Sequence, residues 1–522
     1  MRIGKYPGSI GSLLIVLLFV SCRTVPQQLF RSDLELETVS IESVGTPIVY
    51  KEVSPDFLGF CIDSSQIFGG KWWEGSDVCV AGVGGAEASE LDLQSGNLVK
   101  LTGELGNSVL RIGGSEADKL YYDIQNKGEK PEGYDLSLTK KRWKEIIDFC
   151  KLSNLKLLFT INAGPGSRLD KKGRKSEWQP DNARSLIKFA HDTNSPVFGW
   201  EYGNEPNGFS FIHGHRWKMT GSEYANGFNS FYDMVKDINP SYQVVGPAIA
   251  HWPVIGEFAN LSKDFFRKIK NIDEITFHYY PQQSRRGAVR TRTARHDTML
   301  SERNLDDVLN VIEHYKEIQA DKFTNVPLWI GETGNAQFGG EPGVSDTFLS
   351  SLWFMDLLCL SATNGIERVM RQTLIGSDYG LIDSETTQPR PDYYTALLWK
   401  RMIKGYPVSV QYYVSGNEDQ QRDGIRIYSF ADYKDDEINL TFVVINLNTD
   451  KEFKINMPVK YGRSRFVIAK PVPGDVSKVL WNNIPPRLPV QDENILIPYD
   501  NFSNKGIVLP PISYAVIKAY EI

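Results

Sequence analysis

The stretch FGWEYGNE (198–205) decides the fold once it is set beside VPLWIGE (326–332). Each is a short apolar run rich in aromatic or branched residues, and each ends on a glutamate among small or polar neighbours. Both belong to a series. FLGFCID (57–63), SVLRIGG (108–114) and LKLLFTIN (155–162) precede the first, YQVVGPA (242–248) and EITFHYY (274–280) lie between the two, and IERVMRQ (366–372) follows the second. Longer segments with helical spacing separate them, among them 139–152, 181–191, 221–238 and 305–319. Eight strands alternating with helices predict a (β/α)8 barrel with generous loops. Two doubly wound domains are the competing topology. No Gly-rich phosphate loop follows an early strand, which counts against a nucleotide-binding unit.

Past Pro407 the helical signal stops. VSVQYYV, GIRIYSF, INLTFVVIN, FKINM, RFVIAK and YAVIKAY alternate with Asn, Gly, Pro and Asp clusters, which predicts a C-terminal antiparallel β-sandwich. Residues 34–53 have the pattern of an edge hairpin around Gly45-Thr46-Pro47 and are expected to complete that sandwich, bringing the chain ends together. The expected division is a signal peptide over 1–22, a linker with N-terminal strand or strands over 23–52, the barrel over 53–402 and the sandwich over 403–522.

The composition is globular: 522 residues, 41% hydrophobic, with 58 basic against 64 acidic side chains and a net charge of −6. That balance argues against nucleic acid as a partner of the whole surface. At the N-terminus, Arg2 and Lys5 precede an apolar run, Ser12 to Val20, that is too short to span a membrane and ends at Ser21-Cys22. A basic start, a short apolar core and a small residue before cysteine predict a lipoprotein signal with Cys22 as the lipidated end. An ordinary secretory signal cut nearby is the alternative. Both predict export, with membrane contact only through the lipid. The remaining cysteines, Cys61, Cys79, Cys150 and Cys359, show no metal-ligand spacing, and neither metal nor cofactor is expected.

In a barrel of this kind the C-terminal ends of the strands face the reaction site. The glutamates that end strands four and seven, Glu205 and Glu332, therefore face each other. Opposed carboxylates are what glycosidic bond cleavage needs: one protonates the leaving oxygen, the other attacks the anomeric carbon or activates water. Pro206 excludes helix at Glu205 and predicts an extended residue at the strand tip.

The chain resembles heparanase and its β-glucuronidase relatives, glycoside hydrolase family 79. The matching stretches are SPDFLGFCID, LRIGGSEAD, WEYGNEPNGF, TFHYY, LWIGETGNAQFGGEPGVSDTF, NGIERVMRQTLIGSDYGLID and PDYYTALLWKRM, which together run from Ser54 to Met402. The resemblance implies a retaining mechanism with Glu205 as acid/base and Glu332 as nucleophile. It also implies Asn204 on the sugar 2-hydroxyl, Tyr280 close to Glu332, and Asp63 and Ser115 on other hydroxyls. Tyr379 and backbone amides near Gly339 would hold the uronate carboxylate, with Gln372 a further contact. Phe338 stands where the family has glycine in the carboxylate-binding turn. His251-Trp252-Pro253-Val254 stands where it has an arginine pair that binds heparan. The implied substrate is a glucuronate-containing polysaccharide or oligosaccharide. A relative acting on neutral sugars, or a glycan-binding lipoprotein without turnover, is the alternative.

Two βα loops are basic: Arg168, Lys171, Lys172, Arg174 and Lys175 after strand three, and Arg285, Arg286, Arg290, Arg292 and Arg295 after strand six. On the catalytic face they are expected to hold a polyanion. Trp72, Trp73 and Trp217 can stack on sugar faces or pack under the loops. His278 is expected to orient the site by a hydrogen bond.

Overall fold

The computed structural model describes residues 34–520 apart from 50, 81–82, 416–423, 435–436, 459–460, 462, 489–493 and 502–505. Cys22 and the apolar run before it lie outside the described residues. Among the described residues no helix is long and apolar enough to cross a membrane.

Eight parallel strands close into a barrel: Leu58–Asp63, Ser108–Gly113, Leu155–Ile161, Val197–Tyr202, Gln243–Trp252, Glu274–Tyr279, Leu328–Thr333 and Arg368–Arg371. They fall on the eight runs read from the sequence, and the eighth pairs back onto the first. Because side chains alternate along a strand, each run divides between two environments. Phe60, Ile62, Leu110, Ile112, Phe159 and Ile161 point outward into the core beneath the helices. Cys61, Val109, Leu158, Val245, Trp329 and Met370 meet inside the barrel floor. Burial on both faces is why these strands read as nearly continuous apolar runs.

The helix Gly221–Ile238 starts where its sequence says it should: Thr220 and Glu223 form a reciprocal capping box, satisfying two of the N–H groups that a helix start leaves free. The helix Phe348–Thr363 is different. Every residue from Phe348 to Ala362 is buried, because the helix lies between the barrel and the C-terminal sheet.

That sheet follows one hydrogen-bonded path. Asp475–Trp481 lies at one edge, followed by Arg463–Val472, Ser513–Tyr520, Glu437–Asn446, Ile425–Lys434 and Tyr406–Val414. The path then takes in Glu35–Pro47, Lys451–Asn456 and Ile507–Leu509. It curls over itself into two packed layers, so that Phe453, Ile455, Ile507 and Leu509 share a core with Phe442, Val444, Ala515 and Ile517. The alternate residues, Val443, Ile445, Tyr514 and Val516, face the barrel and join its core. Glu35–Pro47 is a single bulged strand and not a hairpin. It pairs antiparallel with Tyr406–Val414 and parallel with Lys451–Asn456. With a partner already on each side, it has no need of a hairpin mate.

A buried ion cluster ties the two parts together. Arg426, on the sheet, lies 2.5 Å from Asp356 in the sandwiched helix and 2.7 Å from Asp306. The Tyr428 hydroxyl donates to the same Asp356 oxygen at 2.6 Å. Removing the cation alone strands a buried carboxylate, which costs about 3–5 kcal/mol. Arg426→Met is therefore expected to lower the urea midpoint strongly, and Asp356→Leu in the same chain to recover most of the loss. Both are read by denaturant unfolding.

Candidate active site

Period-two alternation alone would not aim both key glutamates correctly. Trp329 and Glu332 both point into the barrel although they are three residues apart. Between strands six and seven, Phe277 pairs with Ile330 and the next pair is His278 with Glu332, so Gly331 is an extra residue. Strand four has the same device: Leu157 pairs with Val197 and Leu158 with Gly199, leaving Phe198 extra. Phe198 then stacks on Trp329 inside the floor at 5.8 Å, and Glu201 also faces inward. Bulges of this kind re-aim a side chain without breaking the sheet.

Arg111, fully buried on strand two, gathers what these bulges present. Its Nε donates to Glu201 at 2.9 Å, one terminal nitrogen to Glu332 at 2.8 Å, and the other to the Asn204 carbonyl oxygen at 2.8 Å. Glu201 also accepts from the Thr160 hydroxyl at 2.6 Å. The second Glu332 oxygen accepts from the Tyr280 hydroxyl at 2.5 Å. Both Glu332 oxygens are thus held in place. Arg111 and Glu201 were not singled out from the sequence. The signal was present: a charge inside a strand that is otherwise apolar must find a partner in the barrel.

Glu205 lies just past strand four and is left-handed, with φ 48° and ψ 56°, not extended. Proline after it excludes the right-handed helical region but leaves this one open. Gly203, with φ 69°, starts the turn, and the Glu205 N–H anchors it on the Ala248 carbonyl at 3.0 Å. The turn carries the carboxyl over the barrel mouth, to 2.9 Å from His278 Nδ1. Burial pushes the Glu205 carboxyl up to about 7, against the pull of the Arg111 guanidinium. Burial and not the charge of Glu332 raises it, and Glu332 is itself paired with Arg111 at 2.8 Å. Burial holds His278 down to about 4, leaving it a neutral partner that can accept from a protonated Glu205.

Around the pair lies a cavity of about 450 Å3. Asp63, Ser115, Asn204, Tyr280, Phe338, Gln372 and Tyr379 line it together with both glutamates. Asn204 spends its carbonyl oxygen on Arg111 and the Gly114 N–H, which turns its NH2 toward the cavity. One oxygen of Asp63 caps the helix that follows, accepting from the Ser65 N–H and hydroxyl at 3.0 and 2.8 Å. Burial raises its carboxyl to about 7. Tyr280 and Tyr379 stack at 6.5 Å, and burial holds both phenols well above their ordinary value, so they remain donors.

Phe338 takes φ 64° in a turn with Gly339 and Gly340, a conformation that ordinarily favours glycine. Gly339 does not line the cavity: Trp73 and Ser377 cover it so closely that a Cβ would sit 2.4 Å from the Trp73 Cβ. Trp72 and Trp73 line the cavity wall, whereas Trp217 lies apart, under Arg216.

The arginines after strand six do not form a free cationic track. Arg285 pairs with Glu341, Arg286 with Asp378, Arg292 with Asp307 and Arg295 with Asp297, and Arg290 donates to the Arg285 carbonyl. Of the strand-three loop, Arg168 is buried, Arg174 is held by Asp170 and Lys175 lies 3.7 Å from Glu223, while Lys171 and Lys172 are exposed. Long flexible cations next to carboxylates and loop carbonyls satisfy them first.

Among the described residues the one grouping with metal-ligand spacing is Glu205, His278 and Glu332, whose ligand atoms lie within 4.8 Å of one another. Arg111 already supplies positive charge to this trio and Tyr280 occupies the other Glu332 oxygen, so the donor set suits proton and sugar chemistry better than a cation.

The model of the glycosyl hydrolase family 79 N-terminal domain matches residues 70–359. A baicalin-β-D-glucuronidase of Scutellaria baicalensis is 26% identical over 402 residues, 72% of each chain. Heparanase of Rattus norvegicus is 29% identical over 332 residues, 60% of this chain and 56% of that one. Among solved structures, an α-L-arabinofuranosidase of Thermotoga maritima superposes with a TM-score of 0.61 at 14% identity, over 93% of this chain and all 100% of the other. A 4-O-α-L-rhamnosyl-β-D-glucuronidase of Fusarium oxysporum gives 0.59 at 16%, over 92% and 99%. These two share the fold. With more than half of its length under the family model, the chain belongs to glycosyl hydrolase family 79.

Proposed function

We propose that this glycoside hydrolase is a retaining β-D-glucuronidase in which Glu332 attacks the anomeric carbon while Glu205 protonates the departing oxygen. The observation that carries the reading is the facing of the two carboxylates across His278, with an oxygen of each within 4.8 Å of the other. That separation agrees with the ~5–5.5 Å of retaining pairs and leaves no room for the water that an inverting enzyme places between its carboxylates. Glu332 forms the glycosyl ester. Glu205, now ionised, takes a proton from the incoming water, and the ester is hydrolysed.

The surroundings support these roles. Arg111 and Tyr280 fix the attacking oxygens in one orientation, which saves the entropy of finding it. The Asn204 amide is turned to meet the 2-hydroxyl, a contact that strengthens as positive charge develops on the ring. The single cation lining the cavity, Lys71, is paired with Glu87. A uronate carboxylate would therefore be held by neutral donors: the Tyr379 hydroxyl, the Gln372 amide and the N–H groups of the turn at Phe338. The names of the relatives, a baicalin glucuronidase, heparanases and a hyaluronoglucuronidase of Hirudo nipponia, agree with a glucuronosyl substrate. Export with lipid attachment at Cys22 completes the proposal.

Hydrolysis of an aryl β-D-glucuronide is expected from wild type, with the β-anomer of glucuronate released first by NMR. Glu332→Gln should show no turnover, and Glu205→Gln should lose ~10²–10⁴-fold on substrates with a poor leaving group. Turnover of neutral aryl glycosides with none of any glucuronide would favour the neutral-sugar reading; heparan sulfate and hyaluronan digested in parallel test the polysaccharide expectation.

The acid must be protonated, so kcat/KM should fall as pH rises through about 7, and this limb should vanish in Glu205→Gln. In detergent phase partition, wild type should enter the detergent phase and Cys22→Ser the aqueous one.

A further inference from the structure

The exposed apolar side chains of the cleft gather on one of its sides. Around the barrel the strands run in the order four, three, two, one, eight, seven, six, five. Of the polar groups that line the cavity, Asp63, Ser115, Glu332, Gln372 and Tyr379 come from strands one, two, seven and eight and their loops, and Asn204, Glu205, Asn207 and Tyr280 from the ends of strands four and six. The loops after strands four, five and six present Phe211, Ile255, Phe258 and Val289 to the same cavity. These side chains are 54%, 56%, 40% and 67% exposed. Phe211 and Phe258 touch, with ring centroids 5.0 Å apart. Ile212, Trp252 and Ala288 extend the surface inward.

Large apolar side chains gathered at this exposure beside a deep cavity mark a binding surface. Its occupant follows from position. Phe211 is six residues beyond Glu205 on the same loop, so the surface adjoins the group that protonates the departing oxygen. What lies beyond that oxygen is the leaving group. Its charge follows from the lining: four carboxyl groups, Asp63, Glu116, Glu205 and Glu332, against one cation, Lys71, which Glu87 already engages. Four arginines of the strand-six loop are paired with Glu341, Asp378, Asp307 and Asp297, and the fifth, Arg290, donates to the Arg285 carbonyl and does not line the cavity. A sulfated leaving group would meet no unpaired cation among the described residues that line the cavity and would desolvate against hydrocarbon.

We propose that Phe211, Ile255, Phe258 and Val289 form a leaving-group shelf that selects β-glucuronides of apolar, ring-bearing alcohols over those whose leaving group is a sulfated sugar. This specificity rests on the glucuronidase reading, while the apolar shelf itself does not.

The test pairs turnover with binding. Wild type, Phe211→Ser and Phe258→Ser are compared on 2-naphthyl and phenyl β-D-glucuronide and on a sulfated glucuronide oligosaccharide. Binding of 2-naphthol is followed in the same proteins by the fluorescence of the cavity tryptophans, with circular dichroism to confirm folding. The kcat/KM ratio of naphthyl to phenyl glucuronide, whose leaving groups are of similar acidity, should fall on the order of tenfold in each variant, and naphthol binding should weaken in parallel. Unchanged ratios with no naphthol binding, or a wild-type preference for the sulfated oligosaccharide, would overturn the shelf and leave the glucuronidase reading standing. Naphthol binding that the variants lose, with no glucuronide hydrolysed, would uphold the shelf and overturn the glucuronidase reading.

Discussion

A guanidinium shut inside a barrel of apolar strands must be fully paired, and Arg111 meets that demand with three groups at once. Leaving such a charge without partners would cost several kcal/mol, so the barrel closes only with Glu201, Glu332 and Asn204 in their places. The partners arrive from strands four and seven and from the turn past strand four, and Arg111 comes from strand two. One cation thereby fixes the spacing across the barrel mouth. It also divides the labour between two glutamates of identical chemistry: Glu332 sits in an ion pair, while Glu205 is governed by burial.

The sheet itself had to be modified to meet that constraint. A regular strand that buries Trp329 in the floor would send Glu332 out under the helices. The extra Gly331 reverses the alternation for the last residues of strand seven, and Phe198 does the same for Glu201. Glycine suits the first position, where a Cβ would come within 3.0 Å of the Thr276 Cβ. The floor remains packed and the mouth becomes polar, each with its own register.

Most of the barrel was legible because buried parallel strands announce themselves as branched and aromatic runs. The helix Gly221–Ile238 was equally plain, since its capping residues and apolar stripe agree. The site was legible through Gly-Asn-Glu-Pro and Gly-Glu-Thr, where polar residues end apolar runs. What escaped was set by three-dimensional competition. Arg111 and Glu201 looked like stray charges until the barrel brought them together. The left-handed turn at Glu205 depends on an anchor at Ala248, far along the chain. The arginines after strand six suggested an open cationic surface, and the carboxylates that claim them lie on other loops. The Glu35–Pro47 strand looked like a hairpin because its second partner, Lys451–Asn456, is remote in sequence.

That last strand has a consequence for how the molecule comes into being. Glu35–Pro47 is made early, yet its neighbours on both sides, Tyr406–Val414 and Lys451–Asn456, are among the later segments to be synthesised. Contacts of such long sequence separation form late and slowly. The strand must therefore travel unpaired, as an open edge, until nearly the whole polypeptide is available. Glu35 and Glu42, which stay exposed, and Glu37, which ends paired with Lys451, give it negative charge that discourages edge-to-edge association during the wait. The barrel of this enzyme therefore has no completed second layer to lean on until Tyr406–Val414 and Lys451–Asn456 have been made.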